Sequence, residues 1–263
     1  MILLSAAVLC GVAGTRANAQ ANHPAGCRAS VAAAHRSHSR LGACTTPKHR
    51  TIVETTYYQN ASRVGGTALA AYPEARVRYG VASNVELFYD TPSEIAKSGL
   101  HGLGIYAMQR SGPGANVELG QRGDLTYGVS GEIHPPLDAL ENLRFIPRDQ
   151  TDLNASWMSS TSTEFAAQLG AITFETPRLR RDRGDATTSA LAATRALTYN
   201  TTVTAELETQ SRALYGALAQ TSGIASVQRA LSRHLLSNVE IGTAFNAAGN
   251  SKPHYLGAGF SLH

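Results

Sequence analysis

Tyr199-Asn200-Thr201-Thr202-Val203-Thr204-Ala205-Glu206-Leu207-Glu208 alternates for ten residues: Tyr199, Thr201, Val203, Ala205 and Leu207 on one parity, Asn200, Thr202, Thr204, Glu206 and Glu208 on the other. A period of two is the pattern of a β-strand with two chemically different faces. The same alternation recurs along the chain. It appears at Ala75, Val77 and Tyr79; at Val85, Leu87 and Tyr89; at Leu125, Tyr127, Val129 and Ile133; at Leu153, Ala155 and Trp157; and at Val239, Ile241, Thr243 and Phe245.

Alternation alone does not separate a soluble sandwich, whose apolar face meets a core, from a transmembrane barrel, whose apolar face meets lipid. Three wider features favour the barrel. Many strands run about 9–12 residues, the length that crosses a bilayer at a tilt, whereas soluble strands average about 5–6. Short turns near 81–84, 160–162, 197–198 and 233–236 alternate with longer polar stretches near 92–100, 135–150, 176–186, 210–222 and 246–253, as short periplasmic turns alternate with outer loops. Carboxylates and arginines stand in mid-strand on the polar face, which a wet lumen accepts.

The reading is an all-β, antiparallel transmembrane barrel of about twelve strands, at 51–60, 71–80, 85–91, 101–110, 117–134, 151–159, 163–175, 187–196, 199–209, 223–232, 237–245 and 254–262. An even count returns both ends of the barrel to one side of the membrane. Arg195 and Arg229 share parity with apolar neighbours. At mid-bilayer such a charge costs about 2–4 kcal/mol, so both are expected to face the lumen or to sit near a rim. Ser83-Asn84-Val85-Glu86-Leu87 recurs as Ser237-Asn238-Val239-Glu240-Ile241, each copy after a strand and a short turn.

Composition agrees. Charged residues are 16% of the 263, against about 25% in ordinary soluble domains. No apolar run reaches the roughly 18 residues of a membrane-spanning helix. The net charge of +4 comes without a Lys/Arg stripe or interleaved aromatics, so nucleic acid is not an expected partner. Residues 1–19 read as a signal peptide, an apolar stretch followed by Ala17-Asn18-Ala19. Residues 20–50 show no sustained period and read as an irregular periplasmic extension or plug; residues 51–263 form the barrel. Cys27 and Cys44 remain after cleavage, a disulfide candidate in an exported chain. The histidines His23, His35, His38 and His49 nearby match no familiar metal-ligand spacing, and no metal is expected.

The hairpin Tyr79-Gly-Val-Ala-Ser-Asn-Val-Glu-Leu87 and the closing pair Asn238–Phe245 and Tyr255–Leu262 resemble the outer-membrane transporter family associated with the meta-pathway of phenol degradation. The resemblance covers roughly 51–263. It implies passage of a small, aromatic or hydrophobic solute, with outer-membrane lipid and the barrel assembly machinery as partners. One departure stands out: such barrels end in an aromatic residue, and this chain ends Phe260-Ser261-Leu262-His263.

No GxSxG, HExxH, CxxC or P-loop pattern is present, so no catalytic residue and no cofactor is assigned. His134, Asp138 and His254 near outer strand ends read as ordinary rim residues. The lumen-lining candidates are Glu54, Arg76, Arg78, Glu86, Asp90, Asp124, Glu132, Glu206, Glu208 and Glu240. Rings of charge tune ion selectivity, and their carboxylate excess points to a weak cation preference. In the loop Pro177–Asp185, Arg178, Arg180, Arg181 and Arg183 form a basic patch suited to lipopolysaccharide phosphates. Two rivals remain: a structural or adhesive barrel with a plugged lumen, and a secreted β-sandwich.

Overall fold

The computed structural model describes residues 42–64, 67–71, 74–91, 93–99, 102–109, 112–133, 146–175, 183–211, 220–245 and 254–262. The signal-peptide reading, Cys27, His134, Asp138, Arg178, Arg180 and Arg181 lie outside these residues, as do the side chains of Arg183 and His254.

Fifteen strand segments make one antiparallel sheet. They are β1 (Thr51–Val64), β2 (Thr67–Ala71), β3 (Glu74–Ala82), β4 (Val85–Asp90), β5 (Ser93–Gly99), β6 (Gly102–Gln109), β7 (Gly112–Arg122), β8 (Leu125–Ile133), β9 (Ile146–Ser160), β10 (Thr163–Glu175), β11 (Arg183–Thr198), β12 (Thr201–Gln210), β13 (Gln220–Ala230), β14 (Leu235–Ala244) and β15 (His254–Leu262). The sheet closes where β15 pairs with β1, from Val53↔Leu262 to Asn60↔Tyr255. Closure leaves this ring without a free edge.

The fifteen segments are twelve strands, because three are interrupted. Arg76↔Asp90 joins β3 to β4, and Ala71↔Ile95 joins β2 to β5: five residues back on one strand meet five forward on the other. Asp90↔Gly112 and Ser93↔Gln109 stand in the same relation for β4/β7 and β5/β6. Thus β2 prolongs β3, β5 prolongs β4 and β6 prolongs β7, all away from the short turns.

The expected count of about twelve therefore holds with two boundaries redrawn. Residues 101–110 are not a separate crossing but the far half of the strand that ends at Arg122. The expected strand 117–134 is broken by a two-residue turn at Gly123-Asp124, where Gly123 takes φ 59°, a conformation glycine adopts without a steric cost. Part of the stretch 92–100, read as loop, is β5. The segments 187–196 and 223–232 do form strands, within β11 and β13.

The two faces of the ring are inverted relative to a soluble protein. Leu153, Leu169, Leu191, Ile241 and Leu256 point outward with 52–61% of their surface exposed. Their neighbours Asp152, Asn154, Glu206 and Glu240 are buried inside. Water does not tolerate so large a contiguous apolar surface on a monomer, whereas a bilayer requires it; a β-sandwich, which needs an apolar interior, is ruled out. Tyr79, Tyr127, Trp157, Phe165, Tyr199 and Phe260 are all exposed near the short-turn end, an aromatic girdle at an interface. Within it Trp157 stacks on Phe165 at 5.7 Å. Arg195 and Arg229 face outward but lie beside the turns at 199–200 and 231–234, at the rim. Phe260 and Leu262 share the outward face of the closing strand.

Candidate functional site: the barrel interior

Alternation sends every second residue inward, and the interior so formed is polar. Nine of the ten residues selected by sequence point to the inside of the ring. Glu54, Arg76, Arg78, Glu86, Asp90, Glu132, Glu206 and Glu240 are buried, and Glu208 is half-buried. Asp124 is the exception: it occupies the exposed turn between β7 and β8, because the strand assumed to contain it ends two residues earlier. Two further buried carboxylates, Asp152 and Glu164, were not selected. Their parity opposite the outward Leu153 and Phe165 was the available signal.

The interior divides into two sectors. On β1, β3 and β4, arginines and carboxylates are matched across strands. Arg76 grips Asp90 with both arms of its fork, Nε to Oδ1 at 2.5 Å and Nη2 to Oδ2 at 2.7 Å, and its guanidinium lies 4.9 Å from the Phe88 ring centre. Arg78 grips Glu86 in the same way, Nε to Oε1 at 3.0 Å and Nη2 to Oε2 at 2.8 Å, and extends Nη1 to Glu54 at 3.4 Å. Such bidentate, charge-assisted pairs are the strong class of hydrogen bond. Their location follows from register, since Arg76↔Asp90 and Glu54↔Arg76 are direct cross-strand partners.

The sector from β8 to β14 carries Glu132, Asp152, Glu164, Glu206, Glu208 and Glu240, and among the described residues no Lys or Arg is buried on it. Neutral polar side chains fill the rest: Asn154 donates to Ser130 at 3.0 Å, Thr194 and Thr204 meet at 3.0 Å, and Gln150 donates to both Asp152 oxygens.

The second feature of the interior comes from outside the strands. Residues 42–46 are buried inside the ring as an irregular strap that reaches β1 through a bend at 47–50. Thr46 donates its backbone N–H to Glu86 Oε2 at 2.6 Å and its hydroxyl to the same oxygen. Asn116 donates to the Cys44 carbonyl at 3.3 Å, and the Ala43 N–H donates to Ser156 Oγ at 3.4 Å. His49, at φ 62°, donates to the Gly80 carbonyl at 2.7 Å, and Gly80 donates to the Arg50 carbonyl at 3.1 Å. The strap passes so close to β3 that a Cβ at Gly80 would lie 2.1 Å from the Pro47 carbonyl oxygen. Gly80→Ala is therefore expected to dislodge the strap without altering the barrel. Faster proteolysis between Lys48 and Thr51, with unchanged heat-modifiable gel migration, would show it; unchanged proteolysis would contradict it.

Cys44 is disulfide-bonded, and its partner lies outside the described residues. Among the described residues no group of three or more His, Cys, Asp or Glu side chains is placed to hold a metal ion.

No family model matches this sequence, and no curated protein sequence matches it. Solved structures do share its shape. An outer-membrane channel from Pseudomonas putida F1 aligns with TM-score 0.62 and 12% identity, over 83% of this chain and 96% of its own. The NanC porin aligns with TM-score 0.54 and 11% identity, over 81% of this chain and 100% of its own. At these identities the likeness establishes the fold, a closed antiparallel barrel of the outer-membrane type.

Proposed function

We propose that this protein is a passive channel of the outer membrane, with its short turns in the periplasm and its interior as the path of a small solute. The observation that carries the reading is the inversion of the two faces: an apolar outer belt with an aromatic girdle around a hydrophilic, carboxylate-bearing interior. A barrel serving only as an anchor has no need of an interior of that kind. The barrels of similar fold named above, a channel and a porin, support the same reading. It invokes no catalysis and no cofactor. Lipid surrounds the belt, the assembly machinery inserts the barrel, and Arg178, Arg180, Arg181 and Arg183 contact lipopolysaccharide.

The resemblance noted in the sequence implies an aromatic or hydrophobic solute. The described interior is polar, its buried carboxylates outnumber its buried arginines, and rings of charge tune ion selectivity toward cations.

Planar-bilayer recording of the purified protein tests both statements. Current through single barrels, with a reversal potential in a KCl gradient displaced a few-fold in favour of K⁺, is the expected result. A reversal potential favouring Cl⁻ overturns the cation preference. Absence of current from correctly folded protein overturns the channel and leaves the structural, plugged barrel, the reading that the buried strap favours.

A further inference from the structure

The apolar belt is not flush. On β9 to β12 it dips into a recess of about 520 Å³, within the range of about 300–1,000 Å³ in which folded proteins hold small ligands. Ala155, Ala167, Ala193 and Ala205 make its floor. Register sets them on a diagonal: the pair Ala155 and Ala167 lies one side-chain step farther from the short turns than the pair Ala193 and Ala205. Trp157 and Phe165, stacked at 5.7 Å, wall the first pair on its short-turn side, and Leu191 and Leu207 wall the second on its far side. An empty recess forfeits the dispersion contacts of its lining. A hydrocarbon chain laid in it recovers them.

The rim beside this recess is basic. Arg195 and Arg229 are exposed on the same outer face. Arg195 stands two residues beyond Ala193 and pairs with Val203, and Arg229 pairs with Thr201. They therefore flank β12, with Cα atoms about 12 Å apart, from two strand spacings of about 4.8 Å across and one two-residue step of about 6.8 Å along. Two arginine forks at that spacing can meet on one phosphate. The turns 160–163, 197–201 and 230–237 contain no Asp or Glu, so nothing in them offsets this charge. The aromatic girdle sets both arginines at the level of lipid headgroups.

We propose that β9 to β13 carry a phospholipid site on the outer face at the short-turn end: the phosphate of an anionic phospholipid seats between Arg195 and Arg229, and one of its acyl chains lies in the recess over Ala193 and Ala205, against Phe165 and Trp157. Recognition has two parts, charge at the rim and shape in the belt. The head is anionic because a zwitterionic one brings its own cation to two arginines that repel it. A second copy of the chain fits the recess less well. A two-fold contact sets the same patch against itself, and would bring Arg195 and Arg229 of both copies together. The site rests on the membrane setting proposed above and not on conduction.

Trp157, the sole tryptophan, stands in the wall of the recess and reports which lipid occupies it. The full chain is folded into phosphatidylcholine vesicles containing phosphatidylglycerol, with bromine, a contact quencher of tryptophan, on the acyl chains of one lipid or the other. The two quenching curves give the relative affinity at the recess. Phosphatidylglycerol is expected to be preferred at least about fivefold, the contribution of roughly one basic residue near an anionic surface. Arg195→Gln/Arg229→Gln should bring the ratio close to one. Lys48→Gln/Arg50→Gln, which removes the same charge from exposed positions beside β1, should leave it unchanged. Ala193→Leu/Ala205→Leu, which fills the floor and keeps the arginines, should lower it as well. Equal quenching by both lipids in the parent overturns the site, and that measurement needs no variant to fold. A preference that survives loss of both arginines, or that Lys48→Gln/Arg50→Gln abolishes equally, overturns it too, because surface charge in general then explains it. A preference unmoved by the filled floor takes the chain out of the recess and is equally fatal. Weak quenching by both lipids also overturns the site: with a dimer on chemical cross-linking, a second copy fills the recess; without one, the belt itself is not in lipid and the membrane setting fails. Absence of current in bilayer recording removes the channel and leaves the site standing.

Discussion

Replacing Leu153 by Arg is expected to cost about 2–4 kcal/mol of folding stability in lipid, the range measured for a basic side chain at the bilayer midplane of a barrel. Leu153 is the eighth of the fifteen residues of β9, far from either end. It points outward with 60% of its surface exposed, and its cross-strand partner Leu169 is 59% exposed beside it. In water such a change on an exposed leucine is close to neutral, so the size of the effect reports the solvent around the belt. Urea titration in vesicles, followed by loss of the fast-migrating folded band, measures it. Two neighbouring substitutions bracket the result. Arg195→Leu, at the rim, is expected to change stability by less than about 1 kcal/mol, since the cost of charge falls to about 0–1 kcal/mol near the interface. Leu197→Arg, beside the turn at 199–200, should likewise be mild. A Leu153→Arg variant as stable as the parent would remove lipid from around the belt and with it the membrane reading.

The same alternation explains both what the sequence discloses and what it conceals. Parity needs only the two-residue period of a strand, so the outward Leu153, Trp157 and Leu207 and the inward Glu54, Glu86 and Glu240 were assignable from residue type and spacing. The turn at Gly123-Asp124 was hidden by that very rule. A two-residue turn preserves parity, and Leu119, Leu125 and Tyr127 remain on one face across it, so the alternation runs through from 117 to 134 as if unbroken. Only the Gly-Asp pair, a two-residue hairpin signal, marked the reversal; reading past it carried Asp124 into a strand. Asp152 and Glu164 carried the same parity signal, preceding the outward Leu153 and Phe165, and were left out of the selection although alternation placed both inward.

The strap had no local signal at all. Residues 42–47 carry no period, and their bonds are made to Glu86, Asn116 and Ser156, residues 40, 72 and 113 positions away along the chain. Nothing short of the closed ring brings those groups together. Describing residues 20–50 as an extension or a plug left that choice open, and for residues 42–46 the structure gives the position: inside. Charge was equally partial in its disclosure. A count of inward carboxylates against arginines indicates an acidic interior, but not that both arginines stand on β3. Register does that, by setting Arg76 opposite Asp90 and Arg78 within reach of Glu86 and Glu54. Among the described residues both buried arginines thus stand on β3, against the carboxylates of β1 and β4.

Arg78 is where these threads meet, and Arg78→Ala is expected to cost about 3–5 kcal/mol, as removal of one partner from a buried ion pair does. Its guanidinium joins Glu86 on β4 to Glu54 on β1, with all three side chains at most 3% exposed. Removing it leaves Glu54 and Glu86 buried without the cation that joins them, while Arg76 is already committed to Asp90. Protonation or water entry then relieves the charge, and either change weakens Glu86 as the acceptor that holds Thr46. The loss should therefore appear in two readouts: a lower urea midpoint, followed by the fluorescence of the sole tryptophan, Trp157, on the outer face, and faster proteolysis at residues 48–51 as the strap loosens. Arg78→Lys keeps the charge but loses the fork, so it should fall between parent and Ala in stability while still freeing the strap. Adding Glu86→Gln to Arg78→Ala should recover part of the stability, because it removes one of the stranded charges, without restoring the strap's protection. If Arg78→Ala left the urea midpoint within about 0.5 kcal/mol of the parent, the range of an unremarkable surface change, the sector would be hydrated enough to need no pairing. The triad would then be a consequence of register and not a support of the fold.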